Sequence, residues 1–197
     1  MKVVLASGNQ KKIRELTEIL APLSMEVVPQ SAFDVEEAEE TGLTFVENAI
    51  IKARNAARAT GLPALADDSG IEVDALNGQP GIYSARFSGA DATDARNNAL
   101  LIEKLAGVAD TDRGARYRAV IVFMRHADDP MPVIAEGTWE GRIIDTPLGE
   151  GGFGYDPHFF VPALGKTAAQ LSAEQKHAIS HRGMALRALL EKLGATT

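Results

Sequence analysis

YRAVIVFM at residues 117–124 and PVIAEGTWEGRII at 132–144, joined by RHADDPM, decide how the fold is read. Both runs carry the β-branched and aromatic residues of long strands. The link His126-Ala127-Asp128-Asp129-Pro130 has turn chemistry, so the pair reads as a hairpin. Toward the N-terminus, Lys2 to Ala6 is a short apolar strand ended by Ser7-Gly8-Asn9. Apolar residues at 13, 16, 19 and 20 then follow a helical spacing, and Met25 to Val28 gives a second strand. Thr44-Phe45-Val46-Glu47 is a capping-box signature that opens a long helix closed by Gly61. A short strand at Ala64 to Ala66 runs into Asp67-Asp68-Ser69-Gly70 and continues at Ile71 to Val73. The loop from Asn77 to Asp91 leads to a helix near Asp94 to Leu105. Beyond the hairpin lie a Gly-rich loop at 149–154, a strand at Phe159 to Val161 and a helical tail from Ser172 to Leu193. Strands and helices mixed along the whole chain predict an α/β fold. The hairpin makes its sheet mixed, not purely parallel.

The 197 residues are 45% hydrophobic and 24% charged, the balance of a soluble globular protein. We read them as one domain, 1–197. Without cysteine there are no disulfides and no thiolate metal sites. The first apolar run is too short for a signal peptide, and no stretch reaches the roughly 18 apolar residues of a membrane span. The expected location is therefore the cytoplasm, with no membrane partner. A net charge of −7 argues against a nucleic-acid polymer as partner. A single nucleotide needs only a few local lysines and a metal ion.

Three patterns mislead. Gly149-Glu150-Gly151-Gly152-Phe153-Gly154 fits G-x-G-x-x-G, but it runs into Tyr155-Asp156-Pro157-His158, which cannot open a dinucleotide-binding helix. Gly165-Lys166-Thr167 imitates the end of a P-loop, yet position 160 is Phe where the pattern needs glycine. His177 and His181 stand four apart but have no third ligand nearby, so they read as one surface histidine and one buried or functional histidine. There is no G-x-S-x-G elbow for a hydrolase triad.

Five stretches suit phosphate chemistry. Ser7-Gly8-Asn9-Gln10-Lys11-Lys12 joins a strand to a helix, where backbone N–H groups favour anions; a plain turn capped by Asn9 is the bland alternative. Asp67-Asp68 offers carboxylates of the kind Mg²⁺ takes. On an extended strand these two side chains point to opposite faces and so serve different roles. An Asx-stabilised turn competes with that reading. Glu36, Glu37 and Glu39 read as solvated surface, whereas Glu40, just before the long helix, can be a second metal carboxylate. Lys52 shares one helix face with Asn48 and is either a surface lysine or a phosphate contact. In Gly151-Gly152-Phe153-Gly154-Tyr155-Asp156-Pro157, an aromatic between glycines is placed to stack on a base, and Asp156 can accept from base N–H groups. An incidental aromatic in a Gly-rich hairpin is the alternative. Lys176 and Ser180-His181-Arg182-Gly183 supply donors for a base carbonyl or a phosphate, or else form a basic helix start.

In this order the motifs resemble the inosine triphosphatase family, specifically its bacterial RdgB-type dITP/XTP pyrophosphatases. The matching stretches run from Ser7-Gly8-Asn9 with Lys12, through Glu39 to Phe45, Glu47-Asn48-Ala49 with Lys52-Ala53, Ala66 to Gly70 and Pro80 to Arg86, to Gly151 through Pro157 and Ser180 to Gly183. Ser7 stands where the family often has Thr, which keeps the hydroxyl. Lys11 stands where glycine is common. The resemblance implies an elongated α/β fold with a central mixed sheet flanked by helices, two lobes with an active-site cleft, and a homodimer. It implies a Mg²⁺-dependent enzyme that cleaves faulty purine nucleoside triphosphates (XTP, ITP, dITP) to monophosphate and pyrophosphate. Asp68 would be the catalytic base, with Glu40 and Asp68 at the metal. Ser7, Gly8, Asn9, Gln10, Lys11, Lys12 and Lys52 would hold the triphosphate. Ser69, Phe153, Gly154, Tyr155, Asp156, Lys176, His181 and Arg182 would complete the pocket. The alternatives are a Maf-type nucleotide pyrophosphatase and a non-catalytic nucleotide sensor. Residues 80–86 receive no firm role; loop architecture and dimer contact are both open.

Overall fold

The computed structural model describes residues 1–20 and 25–194, with the backbone alone for residues 10, 11, 15, 18 and 19. Ile19, expected on the apolar face of the first helix, is among those whose side chain lies outside the described residues. The elements are β1 (Lys2–Leu5), α1 (Gln10–Leu20), β2 (Glu26–Pro29), α2 (Phe45–Thr60), β3 (Ala64–Val73), α3 (Asp94–Lys104), β4 (Gly114–Met124), β5 (Val133–Ile143), β6 (Phe159–Val161), β7 (Lys166–Thr167), α4 (Ala173–Ile179) and α5 (His181–Lys192). The strands form one seven-stranded sheet in the order β2-β1-β3-β4-β5-β6-β7. β1 pairs parallel with β2 and with β3, whereas β5–β6 and β6–β7 are antiparallel. The sheet is therefore mixed and the class is α/β.

The chain divides into two compact units. One comprises Met1–Asp68, Ala119–Gly137 and the chain from Arg182 onward; the other comprises Ser69–Arg118 and Thr138–His181. In the first unit, the period of two along the strands sorts the core. Val3, Leu5, Leu65, Ile121 and Phe123 join Ile13, Leu16 and Leu20 of α1 and Ala185, Leu186 and Leu189 of α5. Val4, Ala6, Ala64, Ala66, Val120 and Val122 face the other way, onto Ala49, Ala53, Ala56 and Ala57 of α2. Each strand is thus apolar on both faces, as a strand covered by helices on both sides must be. A fully buried leucine such as Leu16 contributes about 1.5–3 kcal/mol.

α2 begins where the capping box predicts. The Thr44 side chain accepts from the N–H of Glu47, and Gly61 closes the helix in the left-handed conformation. Three expectations are sharpened. α1 starts at Gln10, before its first apolar residue, because Asn9 caps it through its side chain. β3 runs unbroken through Asp67-Asp68-Ser69-Gly70, so no turn interrupts it. The helical tail expected from Ser172 to Leu193 is present as two helices, α4 and α5, since Ser180 between them takes an extended conformation. The two-residue β7, too short for any periodicity to show, was not expected.

Among the described residues, no helix is long and apolar enough to cross a membrane.

Candidate active site

Period-two alternation along β3 also sets the site. Asp67 lies on the same side of the strand as Leu65, and Asp68 on the same side as Ala64 and Ala66. Asp68 accordingly meets α2: Lys52 Nζ donates to Asp68 Oδ1 at 2.7 Å and to Glu40 Oε1 at 2.9 Å. Asp67 meets the elements on the opposite face. Lys12 of α1 pairs with its Oδ2 at 2.8 Å, and Nε of Arg182, at the start of α5, lies 3.3 Å from its Oδ1. The two aspartates thus serve different partners, as extended geometry requires.

Their electrostatics diverge too. Burial pushes the Asp68 carboxyl above the usual carboxylate range, and the Lys52 ammonium only partly offsets this. Burial also acts on Asp67, but the charges of Lys12 and Arg182 reverse it and hold that carboxyl well below the ordinary range. Lys52 is desolvated, yet its two carboxylate neighbours raise its pKa, so it stays an ammonium. Side by side stand one carboxyl poised to take a proton and one locked as an anion.

Glu40 reaches Lys52 from a loop clamped to the start of α2. The N–H of Gly42 donates to Asn48 Oδ1 (2.8 Å), and the Leu43 N–H and Thr44 hydroxyl both donate to Glu47 Oε2. Position 42 must be glycine, because a Cβ there would stand 2.5 Å from Cβ of Glu47 and 2.7 Å from Asn48 Oδ1. Among the described residues, no group of three or more His, Asp or Glu stands ready to hold a metal. Glu40 and Asp68 nevertheless direct oxygens at one compact cation, the Lys52 ammonium. Two carboxylates completed by phosphate and water oxygens are a donor set that suits a hard divalent cation.

In the phosphate-loop candidate, Ser7 Oγ accepts from the Asn9 N–H and Asn9 Oδ1 from the Lys12 N–H, leaving Gly8 exposed between them. The side chains of Gln10 and Lys11 lie outside the described residues. Glu37, expected as plain surface, places its Oε1 1.7 Å from where a Cβ on Gly8 would stand.

The second unit holds the aromatic half of the set. Asp156, only 2% exposed, receives the N–H of Phe153 at 2.9 Å and Lys176 Nζ at 2.5 Å on Oδ2, and the Tyr117 hydroxyl at 3.1 Å on Oδ1. Gly152 has φ +71°, and a Cβ there would fall 2.0 Å from Asp156 Oδ2, so only glycine lets the loop wrap this carboxylate. Lys176 Nζ also stands 4.9 Å from the ring centroid of half-buried Phe153. The His181 ring stacks on Tyr117 at 4.7 Å and 10°. Ser69 is half-buried on β3.

Tyr155, expected as a substrate contact, is buried, and its hydroxyl donates to the Ser84 carbonyl at 2.7 Å. Gly154 is held on both sides by α3: its N–H donates to Asp94 Oδ2 and its carbonyl accepts from Asn98 Nδ2. Residues 81–86 therefore acquire a structural task, with Ser84 tying the Gly-rich loop down and accepting from the Ile71 N–H. Arg182, expected as a donor in the nucleotide pocket, also contacts Asp67 through Nε. No motif pointed to Tyr117, Asp94 or Asn98, and the motif that contains Ser84 carried no firm role.

A mixed α/β sheet with paired carboxylates at a lysine, and a glycine-aromatic loop gathered round a buried aspartate, defines an α/β protein equipped for nucleotide phosphate chemistry. The chain belongs to the Ham1 family, whose profile matches residues 3–192. It is 58% identical over 192 residues to a dITP/XTP pyrophosphatase of Yersinia pestis, with 98% of each chain covered. To a dITP/XTP pyrophosphatase of Thioalkalivibrio sulfidiphilus it is 61% identical over 193 residues, again with 98% of each covered. Among solved structures, a HAM1 protein from Coxiella burnetii matches with a TM-score of 0.93 and 50% identity over the whole of both chains.

Proposed function

We propose that this protein hydrolyses faulty purine nucleoside triphosphates, XTP, ITP and dITP, to the monophosphate and pyrophosphate, and so cleanses the nucleotide pool. The observation that carries this reading is Asp68, with its raised carboxyl, joined through Lys52 to Glu40, in a chain so similar to proteins named for that reaction.

In the proposed roles, Lys12, Lys52 and the backbone of residues 7–12 take the phosphates. Glu40 and Asp68 would hold Mg²⁺, which would supply neutralising charge on the phosphate oxygens. Asp68 accepts the proton of the water that attacks the α-phosphorus in line, and its raised pKa suits it to that task. Lys52 and Lys12 balance the charge of the departing pyrophosphate. Phe153 stacks on the base. Asp156, Lys176, His181 and Arg182 set the polar groups that favour a 6-oxo purine over adenine, because donors left unpaired by adenine cost rate. The family resemblance supports a homodimer.

The test is a panel of XTP, dITP, dATP, dTTP and UTP with and without Mg²⁺, reading pyrophosphate against free phosphate. Mg²⁺-dependent pyrophosphate release from XTP and dITP, and little from dATP, is expected. Release from dTTP or UTP but not XTP would assign the chain to Maf-type chemistry, and binding without turnover would make it a sensor.

A further inference from the structure

Tyr117 lies on β4, outside every motif of the sequence, yet it touches two groups of the aromatic cluster at once. Its hydroxyl donates to Asp156 Oδ1 at 3.1 Å. Its ring lies nearly parallel to the imidazole of His181, with centroids 4.7 Å apart. The ring is itself wedged by Phe159 at 4.6 Å and backed by Trp139 at 6.2 Å, and Tyr117 is only 7% exposed. A tyrosine so packed has one ring plane and one hydroxyl position. A phenylalanine would fill the same core, so packing alone does not account for the hydroxyl.

We propose that Tyr117 is a positioning residue for purine recognition, fixing the carboxylate of Asp156 and the plane of His181 relative to each other. This rests on the reading of Phe153, Asp156, Lys176 and His181 as the base pocket. Oδ2 of Asp156 already receives Lys176 and the Phe153 N–H, so the Tyr117 hydroxyl is what orients the other oxygen. The stacked face of Tyr117 likewise limits the rotation of the imidazole about its own side chain. Discrimination between a 6-oxo and a 6-amino purine depends on donors and acceptors held in place before the base arrives, and Tyr117 couples one of each.

The test compares Tyr117→Phe, which keeps the ring, with Tyr117→Leu, which removes ring and hydroxyl. For Tyr117→Phe, KM for dITP should rise roughly 3- to 10-fold, the effect of one lost hydrogen bond. kcat should stay within about two-fold, the preference for dITP over dATP should fall, and the melting temperature should hardly move. In the Tyr117→Leu background, His181→Ala should cost less than it does in the wild type, since the two groups act together. Wild-type KM and discrimination in Tyr117→Phe would overturn the proposal. So would equal losses for dITP and dATP that track a lowered melting temperature. If the wild type itself does not prefer dITP to dATP, the base-pocket reading fails and takes this one with it. A discriminating wild type with an unchanged Tyr117→Phe sinks only the role of Tyr117.

Discussion

The ammonium of Lys52 lies 2.7 Å from Asp68 Oδ1 while also donating to Glu40 at 2.9 Å. One cation thus separates two acids that would otherwise repel each other. Burial raises the Asp68 carboxyl, Lys52 opposes the rise, and Glu40 adds to it. In protein stripped of divalent cations, carboxyl-carbon NMR should show Asp68 titrating above the ordinary aspartate value of about 4. In Lys52→Met the opposing charge is gone, and the titration should move higher still. An unchanged or lower value would mean that Lys52 is not what holds Asp68 down.

Asp68→Asn removes the proton acceptor but keeps the shape and one oxygen for Lys52. kcat for dITP should fall by about 10²–10⁴-fold, the usual contribution of a general base. Circular dichroism should stay native. Near-wild-type turnover in this variant would take the base assignment away from Asp68.

Asp67→Asn tests the neighbouring carboxylate, which has the opposite character. Asp67 is buried between Lys12 and the almost fully buried Arg182. Removing its charge leaves a buried guanidinium without that counter-ion and should cost about 3 kcal/mol in urea unfolding at neutral pH. Because the folded-state carboxyl lies below its unfolded value, this stability is fully present above about pH 4. It is lost as pH falls through the depressed folded value. The gap between wild type and variant should therefore narrow on acidification. A gap that stays constant down to strong acid would contradict the pairing.

Much of this arrangement is readable from local sequence. Two adjacent aspartates on an extended strand must diverge, and β3 sends Asp67 toward α1 and α5 and Asp68 toward α2. Thr44 and Glu47, three apart, announce the start of α2 because a capping box is a local device. The hidden parts depend on distant pairings. The Tyr117 hydroxyl meets Asp156 across 39 positions, Asn98 meets Gly154 across 56, and Tyr155 meets Ser84 across 71. Nothing in a local pattern distinguishes such a tyrosine from one that only fills the core. Tyr155 belongs to the stretch that resembles the family, and no local pattern shows that its hydroxyl bonds to Ser84.

Gly42→Ala probes the clamp that sets Glu40. A methyl group at position 42 meets Cβ of Glu47 at 2.5 Å and Asn48 Oδ1 at 2.7 Å. The first is the root of a side chain and cannot swing away, so the loop itself must lift off α2. Lifting it draws Glu40 from Lys52 while Asp68, on β3, stays in place. Misplacing one ligand by about 1 Å can cost on the order of 10²-fold in rate, so kcat should fall steeply while the melting temperature changes little. The Asp68 titration in cation-free protein should then move down, opposite to Lys52→Met, because Glu40 is the neighbour that raises it. A fall in kcat with the Asp68 titration unmoved would place the damage somewhere other than Glu40.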